Sequence, residues 1–209
     1  MERFGKHVGE VLHLPWDNID TDQIIPARYL HRPRDAGYAD QLFHDLRFDA
    51  EGAERAEFPL NAPENRNATV LIAGQNFGCG SSREHAVWAL MDFGFQVVIA
   101  PGFGDIFFNN SLKNGLLAIP LSAGEIETLA QPLSPGSTVT VDLEAQTVIG
   151  ADGRVIRFEI DPYRKEALLL GASEIAMTLR EQESIERFEA RHLETHPWII
   201  PSRGEQRRV

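Results

Sequence analysis

The segment from Gly74 to Leu90, GQNFGCGSSREHAVWAL, restricts what this chain can fold into more than any other stretch. Gly74, Gly78 and Gly80 lead into Ser81-Ser82-Arg83-Glu84-His85, and an apolar pattern of helical period follows. Ahead of it, Ala68-Thr-Val-Leu-Ile-Ala73 is aliphatic and β-branched, as a buried strand requires. The expected local structure is strand, glycine loop, helix N-terminus. Glycine lets the backbone take positive φ and approach a ligand closely. Free N–H groups and the dipole at a helix start favour an anion there. Ser81 and Glu84 fit the S-x-x-E capping box, which predicts a helix start at Ser81. Two hydroxyls and the Arg83 guanidinium then stand at the positive end of a helix, which describes an anion site. The local pattern alone leaves a plainer reading open, with Ser81 only an N-cap and Arg83 an exposed first-turn residue. A phosphate loop is disfavoured, because Gly80 is followed by Ser81 without the Lys of G-x-x-x-x-G-K-[ST], and Arg83 stands where G-x-G-x-x-G needs its third glycine. Arg favours a carboxylate, which it holds through a bidentate fork.

Composition narrows the class. At 209 residues and 43% hydrophobic content the chain can bury one full core. A formal net charge of −11 argues against a nucleic-acid partner, which needs a basic face. The positive field for an anion must then be local, from Arg83 and a helix dipole, with Arg28 and Arg32 as further candidates. No apolar stretch approaches the ~20 residues that span a bilayer, and the opening MERFGKHVGE lacks a signal-peptide core, so a cytoplasmic location is expected. The single Cys79 excludes an internal disulfide.

Val8 to Leu14 predicts a short strand, and Asp17 to Pro26 a carboxylate-rich loop in which Asp20, Thr21 and Asp22 form an Asx-type turn or face a ligand. Residues 30–67, punctuated by Pro33, Gly37, Pro59 and Pro63, predict a functional lid, a partner-binding segment or a series of short helices. A helix over Ser82–Phe93 is followed by a buried strand at Gln96–Ala100. A helix over Asp105–Asn114, ended by Gly115, precedes a strand at Leu116–Pro120. This order implies a parallel sheet with right-handed crossovers. Ser122 and Glu125 repeat the capping-box spacing before a helix to about Gln131. From Ser137 the pattern alternates, predicting strands at Thr138–Asp142, Thr147–Ile149 and Arg154–Ile160. Asp161-Pro162 then caps a helix running to Gly171. Arg180 to His196 is helical and highly charged, with a narrow stripe of Ile185, Phe188 and Leu193 that suits a surface or a partner. The expectation is an α/β fold, one domain over 1–209 with a helical extension from about 180 to 209.

Asn76-Phe-Gly-Cys-Gly-Ser-Ser-Arg-Glu-His85 resembles the signature of the aconitase superfamily's swivel domain, most closely that of the small subunits of bacterial 3-isopropylmalate dehydratase. Asn18-Ile-Asp-Thr-Asp-Gln-Ile-Ile-Pro26 with Tyr29-Leu30, Phe103-Gly-Asp-Ile-Phe-Phe-Asn-Asn110, Asn114-Gly-Leu-Leu117 and Phe158-Glu-Ile-Asp-Pro-Tyr-Arg-Lys165 resemble further family segments, in the family's order. The resemblance implies a mixed β/β/α sandwich and a hydro-lyase acting on an alkylated malate, by dehydration and rehydration between 2- and 3-isopropylmalate in leucine biosynthesis. Relatives use a four-iron–four-sulfur (4Fe-4S) cluster as Lewis acid, held by several thiolates. One cysteine cannot supply these, so the resemblance implies that this chain binds neither cluster nor metal. It implies instead that the cluster sits on a separate large subunit, and that this chain is inactive alone.

The same resemblance assigns roles. Ser81 maps to the catalytic base that removes a proton α to a carboxylate. Ser82 and Arg83 map to substrate-carboxylate positions, and Thr21 and Asp22 to a segment facing the active site. Arg28 and Arg32 flank Tyr29-Leu30-His31, the loop that touches the substrate's distinguishing group in relatives. His85 reads as a support residue, and Asp105 and Asn109 as a helix start and a structural contact. Where the small subunits typically carry Gly-Leu-Asp and Ala-Pro-Trp, this chain has Gly171-Ala172-Ser173 and Ala86-Val87-Trp88. The alkyl group therefore stays open, with dimethylmalate and citramalate as alternative substrates and a non-catalytic carboxylate-binding module as a rival.

Overall fold

The computed structural model describes residues 1–199. The remainder of the extension expected over 180–209 lies outside the described residues.

Strand β1 (Lys6–Leu14) opens the fold and sits at its centre. Its C-terminal half pairs in parallel with β2 (Val70–Ala73), Val11 opposite Val70 and Leu14 opposite Ala73. Its N-terminal half pairs antiparallel with β5 (Thr138–Asp142), Lys6 opposite Asp142 and Glu10 opposite Thr138. Parallel β3 (Val97–Ala100) and β4 (Leu117–Pro120) extend one flank, while antiparallel β6 (Thr147–Ile149) and β7 (Val155–Arg157) extend the other. The result is one seven-stranded mixed sheet in the order β4-β3-β2-β1-β5-β6-β7.

Every residue of β2 and β3 is buried, the expected consequence of a parallel sheet covered on both faces. Alternation along the strands divides the core in two. Leu12, Leu14, Leu71 and Val98 face α3 (His85–Phe93), whose Ala86, Val87, Ala89 and Leu90 are all buried. Val70, Ile72, Val97 and Ile99 face the opposite way, toward Ile126 and Leu129 of α5 (Ala123–Ala130) and Leu168 of α6 (Pro162–Leu170). Crossover helix α4 (Asp105–Asn114) spans both clusters, with Phe107 in the first and Leu112 in the second.

Local signals fix most boundaries. Gly115 ends α4 at φ 100°, and the Ser122–Glu125 capping box forms in both directions. Asp161 caps α6 by accepting from Arg164 N at 3.1 Å. The segment 30–67 folds as successive 3₁₀ turns with the short helix α2 (His44–Arg47). Fully buried Tyr38, Leu42, Phe43 and Leu60 pin it to the first core, which favours short helices over a free lid.

Two expectations need correction, and one helix goes beyond them. The carboxylate-rich loop contains a helix, α1 (Thr21–Ile24), because Asp20 and Gln23 form their own capping box. A further helix, α7 (Glu174–Leu179), is capped by Ser173 and precedes α8 (Gln182–Thr195). Strand β7 stops at Arg157 because β6 offers it only three partners.

Gly78 supports the turn beneath the site. Its φ is +73°, and an added Cβ would lie 2.2 Å from Cγ of Phe107. Gly78→Ala is therefore expected to destabilise the chain by at least about 2 kcal/mol, combining left-handed strain with overpacking. A denaturant midpoint equal to the parent's would contradict this packing account.

Candidate active site

Three loops leave the carboxyl ends of adjacent parallel strands β1, β2 and β3, the edge where open α/β sheets place their ligands. Backbone hydrogen bonds stitch them together. Asn18 N donates to Gln75 O, Gly78 N to Ile19 O, and Thr21 N to Cys79 O, at 2.8, 2.7 and 2.9 Å. Phe77 N donates to Gly102 O at 3.0 Å, and Gly104 N returns to Phe77 O at 2.9 Å. Gly104 cannot be larger, since a Cβ there would stand 2.6 Å from Gly78 O.

The helix start expected at Ser81 is not formed. Helix α3 begins at His85, and Glu84 supplies no side-chain cap. Ser81 instead lies in the loop, where its backbone N–H donates to Thr21 Oγ1 at 3.1 Å and its Oγ stands 3.0 Å from the same atom. The Glu84 carboxylate accepts from Asn114 Nδ2 at 2.6 Å, and Asn114 Oδ1 accepts from Trp88 Nε1 at 3.0 Å. That clamp joins the start of α3 to the end of α4 and removes Glu84 from the capping geometry.

The positive helix end beside Ser81 belongs to α4. A cleft of about 260 Å³ is lined by Gly78, Cys79, Gly80 and Ser81 on one side and by Gly104, Asp105, Ile106 and Phe107 on the other. Gly104 caps α4 without a side-chain bond, which leaves the first-turn N–H groups without an intrahelical partner beside this cleft, whose lining also holds Asp105 and the half-exposed Ile106. Cys79 is a partly exposed loop residue whose carbonyl supports α1.

Helix α1 grips the glycine loop at two consecutive residues. Thr21 holds Ser81, and Asp22 holds Arg83 through both carboxylate oxygens. The Arg83 side chain is 20% exposed and that of Asp22 59% exposed. Hydrogen bonding to Arg83 is the main cause that holds the Asp22 carboxyl below its usual value. A guanidinium has five N–H donors, so a pair that uses two leaves three for a second carboxylate. Asp22 thus takes the end of the fork and fixes its plane, leaving the Nε–H and the outer N–H groups for another carboxylate.

Comparison with known proteins bears on this arrangement. The Aconitase C-terminal domain model matches residues 1–124 and the LeuD_N model 132–162. A model for the C-terminal domain of the 3-isopropylmalate dehydratase small subunit matches 174–202. The small subunit of 3-isopropylmalate dehydratase from Rhodospirillum centenum is 52% identical over 96% of this chain and all of its own length. That from Oceanobacillus iheyensis is 46% identical over 91% of this chain and 99% of its own. The chain belongs to the 3-isopropylmalate dehydratase small-subunit family. A crystal structure of 3-isopropylmalate dehydratase from Methanocaldococcus jannaschii superposes with a TM-score of 0.62 at 26% identity, covering 88% of this chain and 99% of that one. The swivel-type mixed α/β architecture is therefore shared with this small-subunit family.

Within that family frame, the loop arginines stand apart from the cleft. Arg28 donates to both oxygens of Asp45, and its guanidinium lies 4.7 Å from the Tyr29 ring centre. Arg32 presents its carbonyl to the Tyr38 hydroxyl at 2.6 Å. Neither lines the cleft with Ser81, and neither is tied to the glycine loop as Asp22 and Arg83 are, although Ser82, Arg83 and Asp22 also lie outside the cleft's lining. Ser82 is exposed beside Arg83. His85 packs edge-on against Tyr38 at 5.5 Å, and burial lowers its pKa, which fits a neutral packing residue. Asp105 opens α4, and Asn109 accepts from Arg164 Nη2 at 2.6 Å. Sequence reasoning missed Asn114, whose place at the end of α4 could have been found by asking what satisfies Glu84 and Trp88.

Proposed function

We propose that this chain is the proton-handling half of a heteromeric hydro-lyase that interconverts 2- and 3-isopropylmalate, in leucine biosynthesis and in the cytoplasm. The observation that carries this reading is that neighbouring residues of α1 anchor both groups, Thr21 holding Ser81 at the wall of an open cleft and Asp22 holding Arg83 two residues on, in a chain of this family. A diacid needs a cation for one carboxylate and a base for the proton α to it. Arg83 supplies the first, with Ser82 as a neighbouring donor. Ser81 supplies the second, its oxygen favoured in the deprotonated form by the start of α4 across the cleft. Asp22 orients Arg83, and Arg28 and Arg32, on the loop that follows α1, are assigned to the substrate's distinguishing group.

A 4Fe-4S cluster does not fit the residues of this chain, since its one cysteine lies in the glycine loop. The cluster then belongs to a large partner subunit. Among the described residues no helix is long and apolar enough to cross a membrane.

The test is anaerobic reconstitution with that large subunit, followed by hydration assays on isopropylmaleate, citraconate and dimethylmaleate. Hydration of isopropylmaleate with the highest kcat/KM is expected, with neither subunit active alone. Preference for citraconate or dimethylmaleate would reassign the alkyl group. Binding of a dicarboxylate without turnover by any assembled complex would leave only a carboxylate-binding module.

A further inference from the structure

Thr21 is 1% exposed and lies under the cleft floor, so it cannot touch a substrate there. Its hydroxyl has two contacts, the backbone N–H of Ser81 at 3.1 Å and Ser81 Oγ at 3.0 Å. The first contact uses Thr21 as an acceptor. A buried hydroxyl proton needs an acceptor of its own. Among the described residues Ser81 Oγ is the partner within reach, so Thr21 donates to Ser81 and the Ser81 proton points away from Thr21.

Other features hold that donor still. Thr21 N donates to Cys79 O at 2.9 Å, and Ile25 N donates to Thr21 O at 3.0 Å. The Asp20–Gln23 capping box fixes the first turn of α1, and a β-branched side chain is stiff at χ1. Gly80, at φ +103°, lets the loop pass close over the hydroxyl, since a Cβ there would stand 3.3 Å from Thr21 Oγ1.

We infer that Thr21 is a positioning residue that donates a preorganised hydrogen bond to Ser81 Oγ, stabilising that oxygen when it has lost its proton and directing the Ser81 proton outward. The inference rests on the reading of Ser81 as the base. A donor aimed at a developing oxyanion costs no reorganisation when charge appears. A hydrogen bond to the charged form also favours that form. Losing it raises the pH at which the serine can act.

The experiment uses the reconstituted two-subunit enzyme carrying Thr21→Val, Thr21→Ser or Ser81→Ala, with kcat and KM followed across pH. Thr21→Val keeps the shape and removes the hydroxyl, and is expected to lower kcat by about 100-fold with KM within about threefold of the parent. The acid limb of its kcat profile is expected to move to higher pH. Thr21→Ser is expected to retain kcat within about fivefold and keep the parent's limb. A valine variant with parent kcat, an unshifted limb, or a serine variant as slow as valine would each overturn the inference. If the valine chain fails to assemble, Thr21→Cys, a weaker donor of similar size, takes its place with the same expected shift, and a parent profile overturns the inference. Ser81→Ala separates the two levels: an active Ser81→Ala defeats the base assignment, whereas an inactive one beside a fully active Thr21→Val defeats only the role of Thr21.

Discussion

Ser81→Ala is expected to lower kcat of the reconstituted enzyme by roughly 10²- to 10⁴-fold, the range over which a positioned base accelerates proton removal. The loss should fall on kcat, because Ser81 gains its strongest interactions as the proton leaves. Assembly should be unaffected. Ser81 contributes its backbone N–H to Thr21, which alanine preserves, and its side chain fills no part of either core. Co-elution with the large subunit and single-turnover hydration of isopropylmaleate check both halves of the expectation. Parent turnover by this variant would remove the proposed base.

Arg83→Lys is the second large effect. It is expected to raise KM by roughly 10- to 100-fold, because an ammonium is a point charge that cannot serve Asp22 and a substrate carboxylate through one planar fork. Asp22 already takes both of the Arg83 terminal nitrogens from one side. Lysine would have to choose between the two carboxylates, and Asp22 is already in place. Steady-state kinetics decide the matter, and an unchanged KM would argue against carboxylate contact at this position.

Much of the fold is legible where a local signal has no competitor. The bounds of α4 follow from its helical period and Gly115, and β5 and β6 from strict alternation. Ser122 and Asp161 cap the helices they are expected to cap. The same capping logic fails at Ser81 because long-range partners prevail over it. Thr21 captures the Ser81 side chain and backbone across 60 residues, Asn114 captures the Glu84 carboxylate, and positive φ at Gly78 and Gly80 turns the chain away from helix. Pattern cannot weigh a local bond against one made by a residue far along the sequence. The four-residue α1 is hard to see because one turn carries too little period to register, although Asp20 and Gln23 hold its signature. For the candidate site, sequence brings forward Ser81, Arg83, Thr21 and Asp22, and the structure gathers these four at one place. Arg28 and Arg32 share only their charge with Arg83, and charge does not say which way a loop folds.

Strand β1 is flanked on one side by the parallel strands that hold the cleft and on the other by β5. An engineer seeking a minimal scaffold for the three loops would be drawn to cut after α5, close to where the match to the Aconitase C-terminal domain ends at 124. That cut would strip the neighbour from Lys6–Glu10, baring a row of unsatisfied amides and carbonyls. The register there runs unbroken and holds no proline, so only the charges of Lys6 and Glu10 would discourage a stranger from pairing with it. Such a fragment would recruit a second fragment edge to edge, and its precipitation would say nothing about the chemistry it carries.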